Sequence, residues 1–264
     1  MQPDRERLKQ KALNDLSMYL DSVDEKHCNL LSYWISDYVR FLNTESTFDP
    51  QKLIRYKRGS IVKAHLGYRI GHEEGGLHYA IVLENSNAMK SGTVTVVPLT
   101  SVKNDVDLEK LHFSNVYLGD EIYKNLQAKL GAKTTDLDNF KKKLLEDLAD
   151  LCNRSRELLH STEQQGEFMR EADKLKTEIS ILREQITLID GKKSGLAKIQ
   201  KEISKMKRGS IALVGQITTI SKIRIYDPLY PSDALTDIRL SVNALDKIDN
   251  KVKELFTYQK KSGV

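Results

Sequence analysis

The chain has 264 residues, room for one medium domain or two small ones, and 30% of them are charged against only 7% aromatic. No apolar run approaches the roughly 18 residues that a spanning helix needs, and a 39% hydrophobic share set in periodic runs argues against pervasive disorder. The formal charge of +5 allows an RNA or DNA partner without arguing for one, since no Lys/Arg tract forms an intense basic patch. The opening MQPDRERLKQK is charged where a secretory signal would be apolar. Cys28 and Cys152 stand far apart without a partner motif, which excludes a disulfide scaffold and a cysteine-based zinc site. The expectation is a reduced, cytoplasmic protein with no membrane segment.

From about residue 5 to 43 the pattern is helical, with Leu30, Leu31, Trp34, Ile35, Tyr38, Val39 and Leu42 forming one apolar stripe. Asp49-Pro50 breaks that run, closing an N-terminal helical region over 1–55. From Gly59 to about Gly119 the period shortens: GSIVKAHLGYRI, HYAIVLEN, TVTVVPLTS and HFSNVYLG each read as a strand. GHEEGG, SNAMKSG and a polar stretch separate them, and strands in such quick succession predict a small, strongly curved sheet or barrel over 56–133.

Residues 134–207 contain no proline, are dense in Lys and Glu, and repeat apolar residues at alternating three and four. Leu144, Leu148, Leu151 and Leu158 form one series, Ala172, Leu175, Ile179, Leu182, Ile186 and Ile189 a second, and Leu196, Ile199, Ile203 and Met206 a third. That is the a/d seam of a coiled coil, which needs a partner helix to bury it. STEQQG at 161–166 is the favoured turn of an antiparallel hairpin, with GKKSG a local break in the returning arm; a turn at GKKSG would leave very unequal arms.

GSIALVGQITTISKIRI at 209–225 returns to strand character, apolar at first and alternating later. After YDPLYPSD a final amphipathic helix is expected through Leu235, Ile238, Leu245, Ile248, Val252 and Leu255, with Ser232 as its N-cap. The two strand-rich segments are each too small to close a sheet alone. The fold expected is therefore α+β: one small β domain, 56–133 completed by 208–264, interrupted by a coiled-coil hairpin that leaves and returns at adjacent points.

RGSIVKAHLGYRIGHEEGGLHYAIVLEN followed by TVTVVPLTS resembles the opening half of the MazF/PemK-like toxins of type II toxin–antitoxin systems. Those proteins open with a strand after Arg-Gly-Asp, a Gly-Ser-Glu-Gln-Gly-Gly loop, and a strand of the Pro-Val-Val-Leu type. GSIALVGQITTISKIRI looks like their later strand, of the Asp-Gln-Ile-Arg-Thr-Ile-Ser type. The resemblance implies an SH3-like barrel, dimeric, that cuts single-stranded RNA such as mRNA without a metal ion or other cofactor and is neutralised by a cognate antitoxin. Carried over by position, the loop acid is Glu73 and the third-strand hydroxyl is Thr100, followed by Ser101. The catalytic arginine two residues after Gly-Gly is His78 here, and the proline after it is Tyr79. In the late motif Gln216 is kept, while the preceding acid is Gly215 and the arginine is Thr218.

Metal-free RNA cleavage needs a base for the 2′-hydroxyl, an acid for the leaving 5′-oxygen, and donors for the phosphate charge. A histidine near its reference pKa of about 6.5 can serve as base or acid, which the arginine it replaces cannot. His78, Thr100 and Glu73 are thus the catalytic candidates, with Arg69, Ser101 and Gln216 as substrate-binding candidates. Each has a plainer reading: a strand-start histidine on a loop carbonyl, an ordinary β threonine, exposed turn acids, a solvated arginine, a structural glutamine. Neither GxxxxGK[ST] nor GxGxxG occurs, and His65, His72 and His112 lack the spacing of a metal motif, so no metal site is expected. The coiled-coil arm can be read as a dimerisation element, a docking surface or a spacer, and the Trp34 helix as packing on the β domain or covering its RNA groove. The rival function is a non-nucleolytic, CcdB-like toxin or adaptor that binds a protein target such as DNA gyrase.

Overall fold

The structure, a computed structural model, describes residues 4–102, 107–160 and 165–258. It combines long helices with one antiparallel sheet. Two helices come first, α1 (Arg5–Ser22) and α2 (Glu25–Glu45), in the stretch whose pattern reads as helical. The break falls at Asp24, whose carboxylate caps α2 by accepting from the His27 N–H at 3.1 Å.

The strands β1 (Ile61–His65), β2 (Leu77–Val82), β3 (Thr93–Ser101) and β4 (Asn115–Gly119) follow as the period-two segments predict. The 209–225 segment is three short strands rather than one: β5 (Ser210–Leu213), β6 (Thr218–Ser221) and β7 (Ile225–Asp227), divided by single 3-10 turns. The hydrogen-bonded path runs β4-β5-β3-β2-β1-β7, with β6 also on β3; it ends at β4 and β7 without closing. β3 is the hinge of this arrangement. Its first half pairs with β6 and its last residues, Leu99–Ser101, pair with β5, so the turn Val214–Gln216 bulges out opposite Val97 and Pro98.

Alternation along these strands feeds two cores, one per face. Ile61, Ile81, Val97 and Leu99 join the cluster completed by Ile122, Leu126, Ile199 and Ile248 from helices. Val62, Ala64, Ala80, Val82, Val94 and Val96 form the other with Leu53, Tyr56, Ile220 and Ile225. Burial on both faces is why these strands read as apolar runs rather than as clean polar–apolar alternation.

Helices α3 (Glu121–His160) and α4 (Gln165–Lys205) pack side by side as the expected hairpin; of the turn expected at 161–166, residues 161–164 lie outside the described residues and 165–166 already belong to α4. Gly119 pairs with Ser210, so the arm leaves and returns at neighbouring points of the sheet. Helix begins at Glu121, well before 134, because Ile122 and Leu126 are needed by the core. GKKSG does not break α4; its glycines are carried inside the helix. The seam is half covered: Leu137, Leu144, Leu151, Leu175 and Ile199 are buried, while Leu148, Ile179 and Ile186 remain exposed.

The last helix, α5 (Val242–Phe256), starts later than expected and is capped by Ser241, not Ser232. Leu235 and Ile238 are buried, but in the preceding loop. That loop is organised by Asp227 and Asp233, whose carboxylates accept from nearby backbone N–H groups. Lys129 of α3 then donates to the carbonyls of Asp233, Ala234 and Thr236 at 3.1, 2.8 and 2.7 Å.

Candidate functional site

The β1–β2 loop is drawn to a narrow neck by Leu66 N–H to Gly76 O and Gly76 N–H to Gly67 O, both 2.7 Å. A side chain at Gly75 would stand 2.8 Å from the Gly67 carbonyl, and Gly76 has φ +83°, so this pair is a backbone requirement of the neck. Gln216 pins the loop to the β5–β6 turn. Its amide donates to His72 O at 3.1 Å and accepts from the Glu74 N–H at 2.5 Å. Both ends of Gln216 are thereby engaged in shaping the loop. The neighbouring Gly215 also has a packing reason, because a Cβ there would meet the Ser114 hydroxyl at 2.9 Å.

Continuing the β2–β3 register from Ala80–Pro98 sets His78 beside Thr100, on one face of the sheet. His78, Thr100 and Ser101 line one cavity of about 190 Å³ with Lys63, Lys205 and Lys207. Arg69, Glu73 and Gln216 line a separate one of about 410 Å³ with His72 and Glu74. The six sequence candidates therefore divide three and three between adjoining depressions.

Glu74 joins the two. Its carboxylate lies 3.1 Å from His78 Nε2, while His78 Nδ1 lies 3.2 Å from the Leu99 carbonyl. A neutral imidazole has one donor, so a ring facing an acceptor on each side is fully satisfied when it carries two protons. Glu73 turns the other way and meets Arg69 Nη1 at 3.4 Å, with the Arg69 Nε–H donating to Leu66 O at 2.9 Å.

Sequence reasoning missed Glu74 as the partner of His78, and missed the lysines. Lys205 and Lys207 end the helical arm, about a hundred positions from Thr100. Only the pairing of Ser101 with Ser210 brings them to the cavity. Lys63 is anchored nearby by Glu202, whose carboxylate accepts from Lys63 Nζ and from the Tyr79 hydroxyl, both at 2.5 Å. Desolvation, with Glu202 beside it, pushes the Tyr79 phenol well above its usual range, so it stays protonated as a donor. Among the described residues no group of three or more His, Cys, Asp or Glu is placed to hold a metal ion, and no helix is long and apolar enough to cross a membrane.

Residues 57–125 match the family of PemK-like, MazF-like toxins of type II toxin–antitoxin systems. The match takes in β1 to β4 and the first turn of α3, and with them the loop, His78 and Thr100. The N-terminal helices, nearly all of the helical arm and the segment carrying Gln216 lie outside it. No curated protein matches the chain.

Proposed function

We propose that this protein is the toxin of a toxin–antitoxin pair and acts as a metal-independent endoribonuclease on single-stranded RNA. The bent sheet is read as the family's SH3-like barrel and the helical arm as a coiled-coil insertion. The observation that carries the reaction is His78 between Glu74 and the Leu99 carbonyl, in one cavity with Thr100 and three lysines.

The 2′-oxygen of the substrate attacks the adjacent phosphorus as its proton passes to the Glu74 carboxylate. The bond from phosphorus to O5′ breaks while imidazolium His78 gives a proton to the leaving oxygen. Thr100, with Ser101 beside it, donates to the phosphate, and Lys63, Lys205 and Lys207 balance the charge that builds on it. Arg69 supplies a further cation in the adjoining cavity, next to Glu73. The products are a 2′,3′-cyclic phosphate and a 5′-hydroxyl. An antitoxin that covers these cavities would silence the enzyme, and a homodimer is the expected assembly.

The test is incubation of purified protein with a mixed single-stranded RNA in EDTA, with product ends mapped. Discrete cuts bearing a cyclic phosphate support the reading, and His78→Ala should abolish them while leaving thermal stability nearly unchanged. RNA left intact by folded, antitoxin-free protein overturns it and makes DNA gyrase the next target to assay.

A further inference from the structure

We propose that the groove between the N-terminal helices and the β1–β2 loop is a stacking platform for single-stranded RNA, receiving the nucleotides that flank the scissile bond. This rests on the reading of the adjoining cavities as an RNA site. The groove has a volume of about 780 Å³, within the roughly 300–1,000 Å³ typical of ligand sites. Tyr19 of α1, Tyr33 and Trp34 of α2 and Tyr68 of the loop line it, four rings in a chain that is only 7% aromatic.

Packing accounts for one of these rings and not for the rest. Trp34 stacks on His65 at 4.6 Å between ring centres, with the Arg224 guanidinium 5.4 Å from its own ring, and so docks α2. Tyr33 beside it is 75% exposed, and Ile70 on the facing loop is 86% exposed. Tyr19 and Tyr68 face the same groove from opposite walls, and desolvation with the neighbouring Tyr19 raises the Tyr68 phenol above its ordinary value. Gly71 and Gly76 leave open space above the loop backbone.

Continuity and charge select the occupant. Arg69, Glu73 and His78 belong to this groove and to the two cavities described above, so a strand leaving His78 enters it directly. Glu73 is the one acidic side chain on the wall among the described residues, and it is already paired with Arg69. Flat rings continuous with a lysine-lined cavity suit a polyanion whose units each carry a π-face. Base-on-ring stacking tolerates any sequence, so the groove would add affinity without adding a recognition code.

The probe is a pair of non-cleavable 2′-O-methyl RNAs, about five and fifteen nucleotides long, bound to the full chain and followed by anisotropy and by emission of Trp34, the only tryptophan. The longer RNA should quench Trp34. Tyr33→Ala should weaken its binding roughly 5- to 150-fold, the equivalent of one lost base–ring stack. Tyr33→Phe, which keeps the ring, should restore it, and the loss should grow with RNA length. RNA that binds with Trp34 unquenched and with affinity indifferent to Tyr33 overturns the proposal and leaves the groove to a protein partner. RNA that binds through Tyr33 but is never cut overturns the nuclease reading alone. Wild-type protein that binds no RNA overturns both.

Discussion

Two pairs of helices are attached to one sheet, and they are attached by different physics. The α3–α4 arm is rooted in the core: Ile122, Leu126 and Ile199 are almost fully buried, and Glu202 is buried with Lys63 and Tyr79 as partners. The α1–α2 pair contributes no buried residue from α1 and only Phe41 from α2. It is held by rings and polar tips, including Trp34 on His65 and Tyr226 donating to Asp37 at 2.8 Å. The α3–α4 arm is part of the fold that makes the site, and the α1–α2 pair is a detachable wall beside it.

The largest effect that separates them is a pair of deletions. Removing 134–207 takes out Ile199, Glu202 and Lys205, so the product should be insoluble or lack a cooperative melt. Removing only 138–190 and joining the ends with a short linker cuts the arm above its root. Arg154 bonds to Glu178 and Lys192 sits over the Phe140 ring, so positions near Leu137 and Gly191 lie at one level of the hairpin. This shorter protein should fold and melt cooperatively. If both deletions fold equally well, the root is not part of the core.

Next in size is the polar anchor. Glu202→Ala strands the Lys63 ammonium and the Tyr79 hydroxyl, and should cost about 3 kcal/mol in urea unfolding, as loss of one partner of a buried ion pair does. Lys129→Ala frees three loop carbonyls from their common donor and should cost about 2–3 kcal/mol. Equal midpoints for wild type and either variant would show the root to be held by its apolar contacts alone.

The root is also where sequence reading stopped short. Strand segments, the loop and the pairing of two long helices were legible because period and turn chemistry are local. The start of α3 at Glu121 was not, because Ile122 and Leu126 fit a strand-rich neighbourhood and a helix equally well until the core claims them. Three strands in 209–225 looked like one because single 3-10 turns hardly disturb an apolar run. At the candidate site, position along the chain names His78 and Thr100, and continuing the β2–β3 register sets them side by side. Glu74 could not be told from Glu73, since adjacent loop acids differ only in where the backbone aims them. Lys205 and Lys207 lie about a hundred positions from Thr100 along the chain, and only the β3–β5 pairing makes them its neighbours.

The smallest expected effect belongs to the detachable α1–α2 pair and is read by pH. His65 carries the Trp34 stack, and its Nδ1 accepts the Gly67 N–H at 3.0 Å, so the docked ring is the neutral form. Burial holds its pKa below the ordinary value of about 6.5, Arg224, His78 and Arg40 push the same way, and Asp37 opposes them. A histidine whose folded pKa is depressed contributes stability that is complete above its unfolded pKa and is lost as pH falls through the folded one. Docking of α2 should therefore be intact above about pH 6.5 and weaken progressively below it, before the sheet unfolds. Trp34 emission followed from pH 8 down to pH 5 should shift in that window while far-ultraviolet dichroism stays nearly constant. His65→Phe keeps a ring under Trp34 but has nothing to protonate, so its emission should stay flat. An unchanged pH profile in that variant would mean that some other group releases the helix. The two helix pairs part on this point: α4 carries no histidine of its own, and its apolar anchor at Ile199 should hold over the same range.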